Sequence, residues 1–336
     1  MTRVLSEGFE MQDLVGTTGL HTLATSIKRS GSCSLKLDGG VWYLTIPVAD
    51  LSELYFRCGM YYVTNAVTAA FHVEWRHGTT ILGSLVVDMK SPNLTSLKVG
   101  TTEVDAGVYA TAQSTWHLLE VHVKIDDAAG VLEFKLDGTV DGTFSGDTKP
   151  GADTVIDNIR IYNTRLGLGS YTTSYVDDIG LNDTAGAVDN SWCGDGRIIV
   201  LKPNGDTATL DLTPSEAGTH YTLVDDIPAD GDATYVEGSV DDEEDMYDLE
   251  ACGLGDVIIT RIWTESRSKD TASSGKSVAL ITLASGGAEV SGGDVVLSGS
   301  YITKVKGAEE LVNPVDAAAW EVADIDALQA GIRTRP

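Results

Sequence analysis

A chain of 336 residues is longer than one ordinary hydrophobic core accommodates, which predicts two domains. Its 42% hydrophobic and 22% charged residues are a globular composition, and 23 Lys plus Arg against 50 Asp plus Glu leave a formal charge of −27, which excludes a nucleic-acid partner. The opening MTRVLSEGFE has no apolar stretch suited to a signal peptide, and no run approaches the ~18 apolar residues of a membrane span. The expectation is a soluble protein made in a cytoplasm, without a membrane partner.

With 36 glycines and 8 prolines around short runs of Val, Ile, Thr and Tyr, the sequence is written in strands and tight turns. In chain order, SCSLKLD (32–38), VWYLTIPV (41–48), LYFRCGMYYV (54–63), AAFHVEWRH (69–77) and TILGSLVVDM (80–89) alternate apolar with polar residues or lie between Gly, Asn and Asp breaks. SLKVG, WHLLEVHVKID, GVLEFKLDG, DNIRIYN and SYVDDIGL continue the series. An all-β, antiparallel sandwich over residues 1–185 follows, with SYVDDIGLND as a closing strand paired near IDNIRIYN. Small, polar residues at 186–193 predict a linker.

From 194 to 336 RIIVLKP, TATLDLT, DVIITRIWTES, SVALITLAS, DVVLSGS and YITKVKG again predict strands, hence a second β-sandwich module. Between Val224 and Glu250 lie twelve acidic residues and no Lys or Arg, which predicts solvated loops and strand edges. Near the end, Val322, Ile325 and Leu328 at three-residue spacing before Gly331 predict one short helix over 321–330, with Trp320 anchoring its start. Cys33, Cys58, Cys193 and Cys252 show no CxxC spacing and are read as reduced thiols.

The run STWHLLEVHVKIDDAAGVLEFKLDG (114–138) sets a Trp-led strand, a turn at Asp126–Gly130, a second alternating strand and then Asp137-Gly138. With GFE (8–10), SGSCSLKLD (30–38), DNIRIYN and YVDDIGLND, it resembles the laminin-G and concanavalin A-like lectin/glucanase superfamily over residues 1–185. That resemblance implies a jelly roll. GDGRIIVLKPNGD (194–206), HYTLVDDIPADGDATYV (220–236), VIITRIWTESRSKD (257–270) and AAAWEVADIDALQAGIR resemble a C-terminal module of tailed-bacteriophage virion proteins. That second resemblance implies a place in a capsid or tail, beside other virion proteins and in several copies.

A glucanase of this superfamily carries E-x-D-x-E or E-x-D-x-x-E, which sets alternate carboxylates on one strand face as nucleophile and acid. Glu103 and Asp105 begin such a motif, but Gly107 and Val108 stand where its second glutamate belongs. No GxSxG turn occurs, and His72, His117 and His122 lie in predicted strands, where a packed or surface role is the ordinary one. Calcium is the one cofactor the lectin-like resemblance implies, with Asp177 and Asp178 as candidate ligands. On a regular strand these two face opposite sides, so they share an ion only across a bulge.

Trp42, Tyr62 and Trp75 are the candidates for stacking on a sugar ring. Asp241, Asp242, Glu243, Glu244 and Asp245 are the candidate acidic docking surface. The leading expectation is a non-enzymatic phage virion protein, decorating the capsid or belonging to the tail, assembled in the bacterial cytoplasm and acting by docking on the particle. The alternative is a carbohydrate-binding module that recognises a host-surface glycan, and a glycan-degrading enzyme stands third.

Overall fold

The computed structural model describes residues 3–10, 18–39, 42–66, 68–89, 94–166, 171–185 and 187–336. Val41 and Gly186, within an expected strand and the expected linker, lie outside them. The chain divides into two units, Met1–Ile199 and Val200–Pro336.

The first unit contains β1 (Arg3–Glu7), β2 (Thr18–Leu20), β3 (Thr22–Ala24), β4 (Ser34–Asp38), β5 (Tyr43–Leu51), β6 (Glu53–Thr64), β7 (Thr68–His77) and β8 (Thr80–Asp88). There follow β9 (Thr95–Val99), β10 (Thr102–Ala106), β11 (His117–Lys124), β12 (Gly130–Leu136), β13 (Thr139–Gly146), β14 (Ile156–Leu166) and β15 (Thr172–Asn182). An eight-stranded sheet runs β13-β12-β11-β6-β15-β4-β3 with β1 on β15, and a seven-stranded sheet runs β10-β9-β8-β7-β14-β5-β2. The expected all-β, antiparallel architecture is what the chain forms. Period-two alternation places one phase of each strand inward: Leu132, Phe134 and Leu136 are buried while Val131, Glu133 and Lys135 between them are half-buried. Phe56, Met60, Val121 and Phe134 of one sheet join one core cluster with Phe71, Val73, Leu85 and Ile161 of the other. Burial of each such side chain contributes about 1.5–3 kcal/mol.

β14 and β15 do not pair. β14 lies between β5 and β7 in one sheet, and β15 adjoins β6, β4 and β1 in the other. Each carries an apolar face, Ile159 and Ile161 on one and Val176, Ile179 and Leu181 on the other, and both faces bury fully only across the sandwich. A hydrogen bond from Ser174 Oγ to Asn163 Oδ1, 2.8 Å, spans the gap.

The unit boundary also falls later than 185–194. The indole of Trp192 stands edge-on to Tyr55, with centroids 5.5 Å apart, and the Lys135 ammonium lies 3.7 Å over it. Arg57 donates through Nη1 to the Gly194 carbonyl at 3.0 Å. Residues 187–199 therefore complete the first unit. The expected strand RIIVLKP is non-regular up to Pro203.

The second unit has β16 (Pro203–Leu210), β17 (Thr213–Pro214), β18 (Val236–Glu237), β19 (Glu244–Leu249), β20 (Glu265–Ser268), β21 (Ser277–Leu283), β22 (Glu289–Ser291), β23 (Val295–Val296), β24 (Ile302–Lys306) and β25 (Gln329–Arg335). Its main sheet runs β16-β19-β25-β21-β22, with β23 on β21. DVIITRIWTES supplies isolated bridges at Ile259 and Ile262 before β20 begins.

The C-terminal helix α1 is Val322–Ile325 alone, opened by a capping box between Glu321 and Asp324. Trp320, Ile325 and Leu328 pack together, as the spacing predicts. Gln329 and Ala330, expected to end the helix, instead open the strand Gln329–Arg335 between β19 and β21, because pairing on both edges outweighs a weak local period. Among the described residues no helix is long and apolar enough to cross a membrane.

Candidate functional site

The inward phase of β5, β7 and β14 fills the core, so their outward phase presents one polar face of the seven-stranded sheet. Cross-strand register sets Tyr162 between Tyr43 and His72, Arg160 between Thr45 and Glu74, and Asn158 between Pro47 and Arg76. The His72 and Tyr162 rings stack at 4.5 Å. The Tyr162 hydroxyl donates to Glu74 Oε1 at 2.6 Å, and Arg76 Nε donates to Glu74 Oε2 at 2.8 Å.

Arg160 sits among these groups on different terms. Its guanidinium carbon lies 4.0 Å from the Tyr43 ring centroid and 5.5 Å from that of Tyr162. Its Nε is buried without an acceptor, and it makes no salt bridge among the described residues. A cleft of about 360 Å³ opens here, lined by Tyr43, Thr45, Arg76, Asp157, Asn158 and Arg160.

Burial pushes the His72 imidazole down to about 4, overriding the pull of the Glu74 charge, so the ring is neutral near pH 7. Burial, the hydrogen bond to Glu74 and that carboxylate's charge all raise Tyr162, which keeps its proton. The face thus combines a half-buried cation with an unsatisfied Nε and no salt bridge among the described residues, a neutral base, a protonated phenol and an aromatic ring.

The sugar candidates chosen from sequence are placed elsewhere. Tyr62 (0% exposed) and Trp75 (2%) belong to the core, on the inward phase of strands whose outward phase carries Tyr61 and Glu74, so neither offers a face to a ligand. Trp42 packs half-buried against the same core. Glu103 and Asp105 lie on the edge strand β10, where the Asp105 carboxylate accepts the Thr143 amide at 2.6 Å.

Asp177 and Asp178 converge on one side through a bulge, with Asp178 at φ 50°. Protein donors occupy their oxygens. Asp177 accepts the amides of Arg29 and Asp178 at 2.8 Å each, and Asp178 accepts Arg29 Nη1 at 2.7 Å and the Ile198 amide at 2.8 Å. They are anchors for the 29–30 loop and residue 198, and a calcium ion does not fit them. Among the described residues no group of three or more His, Cys, Asp or Glu is placed to hold a metal.

The acidic run is largely spent within its own unit. Asp241 pairs with Lys276, Asp242 with Arg335 and Glu244 with Arg333, while Glu243 accepts the amides of Ser239 and Val240. Asp245 is fully buried and takes hydrogen bonds from Leu212 N, His220 Nδ1 and the Tyr247 hydroxyl, so it is no part of a docking surface.

Sequence reading passed over Glu74, Arg76, Arg160 and Tyr162. Their signal was available as H-x-E-x-R at 72–76 and N-x-R-x-Y at 158–162, each setting three polar groups on one face of a strand.

No family model matches the chain, and no curated protein does. Among solved structures it is similar to an endo-β-1,4-glucuronan lyase of the fungus Trichoderma reesei, with TM-score 0.43 and 11% identity over 57% of this chain and 100% of the other. An alginate lyase bound to alginate trisaccharide gives TM-score 0.39 and 11% identity over 53% and 96%. A carbohydrate esterase of the Shiga toxin-encoding bacteriophage phi24B gives 0.38 and 15% over 54% and 97%. These likenesses concern the fold: carbohydrate-binding and carbohydrate-processing proteins use such a jelly-roll sandwich. They assign no residue and no substrate. They do correct the expectation of a non-enzyme, because polysaccharide lyases are among the similar structures and the missing second glutamate rules out one glycosidase mechanism, not catalysis.

Proposed function

We propose that the first unit acts on an acidic polysaccharide, binding it on the outer face of the seven-stranded sheet. The observation that carries this reading is Arg160, a cation between two tyrosines with a buried, unsatisfied Nε and no salt bridge among the described residues. Such a group favours a planar anion, since leaving a buried donor unmade costs about 1–3 kcal/mol and a carboxylate accepts it in a charge-assisted bond. Tyr43 offers its ring to the apolar side of a pyranose, which selects a uronate over a simple carboxylate.

The same face suits β-elimination. With the uronate carboxylate neutralised by Arg160, neutral His72 takes the C5 proton. The electron pair forms the C4–C5 double bond, the bond from C4 to the glycosidic oxygen breaks, and Tyr162 turns from Glu74 to give that oxygen its proton, after which the imidazolium of His72 returns the C5 proton to the phenolate. Glu74 holds the phenol in place and Arg76 fixes Glu74. Incubating the protein with glucuronan and with alginate tests this: ultraviolet absorbance of an unsaturated uronate end should rise with time, and Tyr162→Phe should abolish it. Saturable binding without product would leave the face as a glycan-binding surface only.

We propose in addition that the protein is carried on a phage particle, a reading supported by the resemblance of residues 194–336 to a virion module.

A further inference from the structure

The first unit has a second groove, on the outer face of its other sheet. It encloses about 590 Å³ and is lined by Arg29, Trp116, Leu118, Glu120, Asp137 and Arg197 among others. Leu118 and Glu120 form its floor on the outward phase of β11. The 29–30 loop and the 194–197 segment form its sides, and the Asp137-Gly138 turn closes one end.

Most of its polar groups are already fixed. Arg29 is held by Asp178, by Asp195 and by the Gly196 carbonyl, and it crosses the sheet at Gly59, where a Cβ would come within 2.6 Å of the Arg29 Cδ. Glu120 is 3% exposed and accepts the Gly194 amide at 2.7 Å. Asp137 accepts His117 Nδ1 at 2.8 Å and the Leu118 amide at 2.7 Å, yet its side chain stays 51% exposed and keeps accepting capacity toward the groove. Arg197 is exposed and makes no salt bridge among the described residues. The Trp116 indole, half-buried, forms an apolar wall backed by Tyr61 at 5.5 Å, and Tyr61 in turn meets Tyr175 at 5.7 Å.

We infer that this groove is a second carbohydrate site and that it takes an uncharged pyranose. The lining carries three carboxylates, Glu120, Asp137 and Asp195, against the two guanidinium groups of Arg29 and Arg197, a balance that disfavours a further anion. A propped indole beside fixed acceptors and one free fork of donors is the complement of a sugar ring, whose C–H face stacks while vicinal hydroxyls donate to Asp137 and accept from Arg197. The two faces would then hold chemically different sugars, acidic at Arg160 and neutral at Trp116. This inference does not depend on lyase chemistry at the first face.

The test is a glycan array carrying neutral and acidic oligosaccharides, probed with the intact protein and with Trp116→Ala, Arg197→Ala and Arg160→Ala. Signal on a set of neutral glycans should fall at least about tenfold in the first two variants while acidic glycans are unaffected, and Arg160→Ala should do the reverse. Arg197→Ala removes only an exposed side chain, so it decides the matter if Trp116→Ala does not fold. If no neutral glycan gives a signal that depends on Trp116 or Arg197, the inference is wrong, whatever happens at Arg160.

Discussion

The most consequential single residues are ionisable groups withdrawn from water. Burial, and then the neighbouring Asp178 charge, push Asp177 well above the ordinary aspartate value of 3.8. Glu10 is pushed up by burial to about 7. A carboxyl whose folded value is raised holds a proton that the unfolded chain has already lost, so its contribution is complete below the unfolded value and disappears as pH rises through the folded one. His72 works in the opposite sense. Its lowered value means that stability is lost as pH falls from 6.5 toward 4, where the unfolded chain takes a proton the folded one refuses. Asp177→Asn, which keeps an acceptor for the loop amides, should therefore gain on the wild type as pH rises from about 4, and the gain should level off above the folded value. Thermal melting across that range checks it, and a gap independent of pH would contradict the raised value. None of this was legible at SYVDDIGLND. The adjacent aspartates could be seen, but their convergence needs the bulge and the positive φ at Asp178, and their partner Arg29 lies 148 residues away from Asp177.

At the scale of elements, legibility followed the strength of the local period. β12 alternates strictly, and β6, β7 and β11 are apolar-rich runs between turn residues, so that the sequence marks all four within a residue or two, and the Asp137-Gly138 turn takes positive φ at both positions as its sequence requires. The pairing of β14 was not legible, because alternation reveals which residues share a face and leaves open which sheet that face belongs to. The first two residues of β25 were misread as the end of a helix for a related reason: Val322, Ile325 and Leu328 fit a helical period, and only the flanking β19 and β21 decide otherwise. Gly331 shows the constraint directly, since a Cβ there would collide with the Asp245 carbonyl and the Met246 sulfur. Gly331→Ala should destabilise the second unit by about 1–3 kcal/mol, as overpacking does. Urea unfolding followed at Trp263 or Trp320 fluorescence would show it, and an unchanged midpoint would contradict the close approach.

For the whole molecule, two units were predicted, and their boundary was not. The polar texture of 186–193 looks like a linker, yet Trp192 and Gly194 are bound into the first unit by Tyr55, Lys135, Arg57 and Glu120. Residues 1–199 should thus unfold cooperatively when made alone. Residues 1–185, stripped of these contacts and of the Ile198 amide on Asp178, should melt several degrees lower or fail to fold, and equal melting of the two fragments would contradict the assignment. The proposed function rests at this scale on two polar faces of one sandwich, of which the acidic-sugar face is the central claim. The most direct measurement is calorimetric titration of the intact protein and of Arg160→Ala with glucuronan and alginate oligosaccharides, with unsaturated product followed in the same samples. Saturable uronate binding that falls at least about tenfold in the variant, a loss of ~1.4 kcal/mol, is the predicted result. Equal affinity of the two proteins, or no uronate binding by the wild type, would contradict it.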